Sequence, residues 1–377
     1  MEDDFNYPQT WRSNLAIDQE LPNEFVATVE GIFSSVINDV VFRNENLEQD
    51  GEDFHGRPLY GEPISFSPVD RTTPIFASIR NEVDDRFTNA INLDNTNQGY
   101  EGSLTFQLQR QVAEGLSGSV SYTWSRATSV NNATSSRAIS NWQFNESVDI
   151  NDPELRTSDF ERRHRVLANL NYRFEWGDRY ATSIGAIYEG QSGQPFSWIY
   201  VGDAQGDGES FNDLVFVPEN EDDIVLVSDN WNAMDSFIES EDGLSPFRGD
   251  FVDRNSARDP FQHIFDIRVN QEIATFSGQS VELTATVENV LNLLNDDWGR
   301  IRFSSFNDNT AWDFTGRVSE DDIGLQFGDR EVTEDDIGKP FISFDEQTAE
   351  ERAADEFLNV ADLSSRWRLQ VGARYTF

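Results

Sequence analysis

"WRLQVGARYTF", Trp367 to Phe377, divides into two sets when every second residue is taken. Trp367, Leu369, Val371, Ala373, Tyr375 and Phe377 form one face, and Arg368, Gln370, Gly372, Arg374 and Thr376 form the other. A period of two is that of a β-strand, whose successive side chains point to opposite sides. One side of this strand suits an apolar neighbour and the other suits water. The last residue is an aromatic on the apolar side.

The same alternation recurs upstream. "GLSGSVSYTWS" sets Leu116, Val120, Tyr122 and Trp124 against Ser117, Ser119, Ser121 and Thr123. "RVLANLNYRFEW" sets Val166, Ala168, Leu170, Tyr172, Phe174 and Trp176 against Arg165, Asn169, Asn171, Arg173 and Glu175. "RYATSIGAIYE", "FDIRVNQE" and "SVELTATVEN" repeat the pattern, and less regular runs lie near 10–19, 24–34, 74–80, 87–93 and 102–111. Charged residues make up 26% of the chain, yet the apolar faces of the six clearest strands carry none. A lipid-facing Arg or Lys costs roughly 2–4 kcal/mol at mid-bilayer, so hydrocarbon enforces this kind of avoidance. A soluble sandwich also hides one face of each strand. It seldom gathers serine, arginine and glutamate on the other face while aromatics collect at strand ends.

Composition narrows the class. With 69 acidic and 28 basic residues the formal charge is −41, which argues against a nucleic-acid partner. Lys339 is the single lysine. The acid excess fits either a chain bathed in concentrated salt, which screens its carboxylates, or acidic loops alone. The absence of cysteine excludes disulfides, zinc thiolates and thiol catalysis. "MEDDFNYPQT" has neither the basic nor the apolar region of a signal peptide. No apolar run reaches the length of a membrane helix, but a membrane strand needs only about 9–11 alternating residues. A mean hydropathy of −0.58 is compatible with such strands.

Connections alternate in length. Short turns are expected at 20–24, 83–85, 113–115, 176–179 and 276–279, and long polar stretches at 36–73, 127–159, 191–259 and 292–365, with a short link at 95–100. Short turns at one end and long loops at the other describe an outer-membrane barrel, with short periplasmic turns and long, acidic extracellular loops. The expected fold is therefore all-β, an antiparallel transmembrane β-barrel segment of about eleven strands. An odd count leaves first and last strands running the same way, so the chain reads as part of a larger barrel. Tyr375 and Phe377 would then anchor the last strand at the periplasmic interface, and with Trp367 they form its insertion and closure signal at the seam of the cylinder. Trp176 and Tyr180 would join them in an aromatic girdle.

A family resemblance overlies this reading. "NTNQGYEGSLTFQLQRQ" (95–111), "SSRAISNW" (135–142), "SDFERRHRVLANLNYRF" (158–174), "GQSGQPFSWIYVGDAQGDGESFNDLVFVP" (190–218), "RNSARDPFQHIFDIRVNQEI" (254–273) and "ENVLNLLNDDWG" (288–299) carry it. In this order they resemble the carboxyl-terminal half of TonB-dependent outer-membrane receptors of the Oar-like branch, and "PQTWRSNLAIDQELPNEFVATVEGIF" (8–33) is similar to the family's mid-barrel region. The resemblance implies a barrel of about 22 strands, of which this chain would supply roughly half. It also implies an amino-terminal plug, a TonB box and energised import of a scarce solute such as a siderophore, oligosaccharide or peptide. Plug, TonB box, regulatory-like domain and signal peptide are not recognised in 1–377. The implied partners are outer-membrane lipid, the barrel assembly machinery (for which the terminal aromatic resembles a recognition signal), the rest of the barrel with its plug, and TonB.

The loops hold the candidate sites. "DAQGDG" (203–208) places Asp203, Gln205 and Asp207 at alternate positions before Gly208, with Asp213 further on. A hard cation such as calcium wants oxygens in that spacing, but Leu214 stands where the usual bidentate glutamate belongs, so an acidic turn is the other reading. "SEDDIG" (319–324) and "TEDDIG" (333–338) fit either a second cation site or paired capping boxes. A short helix is expected in 345–359. Trp198, Tyr200, Trp231 and Trp312, with Phe196 and Phe237, suit either ligand contact or the loops' own cores. Arg165, Arg173, Arg268, Arg368 and Arg374 face the lumen, to pair with acids or to touch solute. His55, His164 and His263 show no metal-site spacing, and no nucleophile motif appears, so no catalytic residue or enzyme activity is expected.

Overall fold

A computed structural model describes residues 5–64, 71–113, 115–276, 278–305, 309–353 and 357–377. Nine long antiparallel strands form one path in chain order: β1 Gln9–Leu21, β2 Phe25–Asn44, β3 Tyr100–Ala113, β4 Leu116–Ser129, β5 His164–Glu175, β6 Tyr180–Gln191, β7 Gln262–Ala274, β8 Ser280–Glu288 and β9 Arg368–Thr376. Two short strands, Ile91–Thr96 and Arg156–Thr157, lie off this path. Among the described residues β1 pairs only with β2 and β9 only with β8, so the sheet does not close.

Register carries the alternation across the sheet. Ile17, Val29, Phe106, Tyr122 and Val166 lie in one row, and Gly118, Leu170, Ala186, Ile267, Val287 and Leu369 in another. This apolar face is uncovered by protein: Leu170 is 53% open, and Ile184 and Leu283 in neighbouring rows 43% and 46%. The register puts Arg110 and Arg126 on this face near opposite ends of the strands, Arg110 at 5.7 Å over the Phe25 ring. The other face is polar and cross-linked by Arg165–Glu189 at 2.7 Å, Arg173–Glu272 at 2.9 Å and Arg368–Glu288 at 2.7 Å. Arg268 bonds Asn270 at 3.0 Å. Three of the five arginines thus pair with acids as expected, and Arg268 pairs with an amide instead.

At one end the connections are short. Asn23 and Glu24, both at positive φ, turn β1 into β2. Gly115 has φ +80°, and a Cβ there would lie 2.0 Å from the Arg173 carbonyl oxygen, so only glycine lets β3 turn into β4 so close to β5. Glu114 and Ser277, within two of the expected turns, lie outside the described residues. Trp176 and Tyr180 stack at 4.6 Å beside their turn, and Tyr375 and Phe377 stack at 6.2 Å near the same end.

Three expectations change here. The runs at 74–80 and 87–93 do not span: the first contributes only Ser78–Arg80 and the second begins Ile91–Thr96, both beyond the long-connection end of the sheet. The expected turn at 83–85 belongs to the same long connection. The expected link at 95–100 is a break in one strand line, since Ile91–Thr96 and β3 pair successively with the upper and lower parts of β2. Gly99, at φ +131°, makes that break; a Cβ on it would meet Val36 Cγ2 at 2.9 Å. Among the described residues nine strands are long, two short strands complete an eleven-stranded sheet, and the count of long strands is odd. At 20 residues β2 is roughly 66 Å long, twice a hydrocarbon core, so its far part stands clear of any bilayer.

At the other end all four long connections pack into one layer with its own core. Its central sheet runs Ile199–Val201, Thr310–Arg317, Pro340–Ser343, Val225–Leu226, so two strands of the fourth connection are flanked by two of the third. Trp198, Leu214, Val215, Met234, Ile238 and Phe314 fill the core beside it, joined by Ile75 from the first connection. The helix Trp231–Ser240 packs against Glu346–Ala353, the expected helix in 345–359, of which 354–356 lie outside the described residues. The two "EDDIG" repeats are short 3-10 turns with capping boxes: Asp322 accepts from the Ser319 N–H at 2.9 Å, and Asp336 from the Thr333 N–H at 2.9 Å.

Candidate functional site

The segment 203–213 is where the loop layer is tied together. Asp203, Gln205, Asp207 and Asp213 are brought together and completely buried. Their oxygens are taken by local donors. Asp203 accepts from the N–H groups of Gly206, Asp207 and Gly208 at 2.7, 3.1 and 2.9 Å. Asp207 accepts from Glu209 N–H at 2.8 Å and the Asn212 amide at 3.1 Å. Asp213 accepts from Ala204 N–H at 2.5 Å, the Gln205 amide at 2.9 Å and Arg57 Nη1 at 3.0 Å. Among the described residues no group of three or more His, Cys, Asp or Glu side chains is arranged to hold a metal ion.

This turn reaches the other connections. Tyr60 N–H donates to the Gln205 carbonyl at 2.8 Å, Ile150 N–H to Gln205 Oε1 at 3.1 Å, and Arg317 Nη2 to the Ala204 carbonyl. Arg57 also lies 4.7 Å over the Phe251 ring. Burial, reinforced by the neighbouring Asp213, pushes the Asp203 carboxyl up to about 6. Burial and the charges of Asp203 and Asp213 push Asp207 up further. A carboxyl that holds its proton more tightly when folded stabilises fully below its unfolded value of 3.8, and that contribution is lost as pH rises through the folded value. Asp336 has the opposite sign: hydrogen bonds from Lys339 and Thr333 and the Arg330 charge outweigh its burial and hold it at about 2, so its contribution is lost only as pH falls towards that value. Loop-layer protection should therefore decline as pH rises from about 4 through 6. Asp207→Asn should flatten the decline, as read by protease resistance of the folded chain. A profile unchanged in this variant would show that these carboxyls do not set it.

The aromatic candidates are core residues. Trp198, Tyr200 and Trp312 are 0%, 3% and 2% exposed, Phe237 is buried, and Trp231 and Phe196 pack against the same cluster. Trp198, Tyr200 and Trp312 are enclosed by this core, whereas Phe196 also borders a cavity. Trp367, Tyr375 and Phe377 lie on or beside the open edge strand β9, with Phe377 95% exposed.

A site that sequence reasoning missed lies beside this core. A cavity of about 330 Å³ opens among three long connections, at the lower end of the size range of small-molecule sites. Its walls are amides and hydroxyls, among them Asn132, Asn141, Gln194, Asn255 and Asn309, with Phe144 and Phe196 as its aromatic surfaces. Asn141 fixes the wall by accepting from Ser135 N–H at 2.9 Å and donating to the Ser135 carbonyl at 2.9 Å. Asn255 donates to Asp159 at 2.8 Å, and Asn309 to Glu146 at 3.2 Å. Arg254, 3% exposed, gives Nη1 to the Val130 carbonyl and Asn145 Oδ1 at 2.6 and 2.7 Å, and Nη2 to the Ser129 carbonyl. Burial pushes the Glu146 carboxyl up to about 7, against hydrogen bonds from Ser197 and Asn309. Residues so far apart in the chain leave no spacing signal.

A family model described as "Outer membrane beta barrel domain" matches residues 1–297. No curated protein and no solved structure matches the chain.

Proposed function

The chain belongs to the outer membrane β-barrel domain family, and from that premise we propose that it is the carboxyl-terminal barrel part of a TonB-dependent receptor of the Oar-like branch, taking up a scarce solute such as a siderophore, oligosaccharide or peptide. The observation that carries the reading is the contrast between the two ends of the sheet. One has only short turns; the other gathers four connections into a packed layer holding a solute-sized cavity. In this reading the layer is extracellular, the turns and the carboxyl terminus are periplasmic, and the arginine-bearing face lines the lumen. The open edges β1 and β9 support further strands as partners, because unpaired backbone groups are costly in hydrocarbon. The remaining barrel, a plug and TonB would supply closure and energy.

Cells deleted for this reading frame would be given labelled peptides, glycans and ferric chelates. Loss of protonophore-sensitive accumulation of one class, restored by the intact gene, is the expected result. Unchanged accumulation together with lost surface attachment would replace import with an adhesive role.

A further inference from the structure

We propose that the cavity beside Glu146 takes an organic cation, an ammonium- or guanidinium-bearing solute, with the Glu146 carboxylate as its counter-charge. This rests on reading the cavity as the solute site of an importer. The charged groups on its wall are Glu146, Asp159 and Arg254. Arg254 spends both terminal nitrogens on Val130, Ser129 and Asn145, which braces the wall and leaves only its buried Nε without a partner.

Behind Glu146 and Arg254 lies a second cavity of about 440 Å³, which those two residues also line. Its other charged groups are Asp149, Asp152, Glu154, Asp250 and Asp253, against Arg156 alone. Arg156 is already paired with Glu154 and with Asp253, the latter at 2.7 Å. Two adjoining spaces thus present carboxylates in excess within a chain of formal charge −41, a field that concentrates cations and repels anions. Phe144, 42% exposed on the first cavity, adds a ring of the kind that attracts cations. Asn255 and Asn309 give their amide N–H groups to Thr157, Asp159, Glu146 and Ser197, so the carbonyl oxygens of these two are the acceptors that an ammonium, having only donors, requires.

The test uses the full chain in detergent micelles, titrated with argininamide and, separately, with neutral maltose. Argininamide should bind and maltose should not. Because Glu146 must be ionised, affinity should rise roughly tenfold from pH 6 to pH 8, and it should fall by about tenfold in Glu146→Gln. Protease resistance of the loop layer checks that this variant stays folded. Phe144→Ala, at a partly exposed ring, provides a second variant that should weaken argininamide. Maltose binding without argininamide binding, or argininamide binding indifferent to pH and to Glu146→Gln, would overturn the assignment. So would binding of neither probe, which leaves the importer reading to the accumulation experiment. Argininamide binding with the stated pH dependence in a chain whose loss leaves accumulation unchanged would retain the cation site and remove import.

Discussion

Asp213→Ala should open the loop layer to protease while the long strands stay resistant. The carboxylate is fully buried and receives Arg57, which is 1% exposed, together with the Gln205 amide and two backbone N–H groups. Removing one partner of a buried pair typically costs about 3–5 kcal/mol, because the remaining charge has no solvent to turn to. That cost falls where the first connection, through Arg57, meets the third, so the damage should spread through the layer. Limited proteolysis of the intact chain in membranes would read it as new cleavages in 45–99 and 192–261. Unchanged cleavage in the variant would show that the layer does not depend on this pair.

The second large effect concerns the apolar face. Leu170→Arg or Ile184→Arg should lose roughly 2–4 kcal/mol of membrane stability, and Asn169→Arg, one residue away on the polar face, should lose little. The readout is the protease-resistant form in the membrane fraction. Leu170 lies in the middle of β5, in a row with Gly118, Ala186, Ile267, Val287 and Leu369, so an arginine there has no nearby strand end towards which to extend. Equal recovery of Leu170→Arg and Asn169→Arg would mean that protein or water, not lipid, covers this side.

The alternation in 164–175, 180–191, 262–274, 280–288 and 368–376 was enough to read which side chains share a face, because a strand with one apolar side has a period that nothing else in the chain disturbs. The same rule misread 74–80 and 87–93. A loop-layer strand such as Ser78–Arg80 also shows one side to neighbours and one to water, and three residues cannot reveal which solvent they meet. Trp198, Tyr200 and Trp312 were visible as aromatics in polar surroundings, but their burial was not. Tyr200 pairs in register with Trp312, so its enclosure depends on a strand more than a hundred residues away. The cavity was least legible of all. Asn141, Asn255 and Asn309 belong to three connections, and each asparagine alone is indistinguishable from a turn residue.

The interleaving of the loop-layer sheet has a consequence for the order of assembly. Thr310–Arg317 sits between Ile199–Val201 and Pro340–Ser343, so the third connection has no finished core until the fourth has arrived. A chain halted before residue 310 leaves Trp198 and Tyr200 bare at the mouth of an otherwise growing sheet. Contacts this distant in sequence form late and slowly. Half-built molecules are consequently the most adhesive species along the route, and it is in that interval that a holding chaperone has apolar surface to grip.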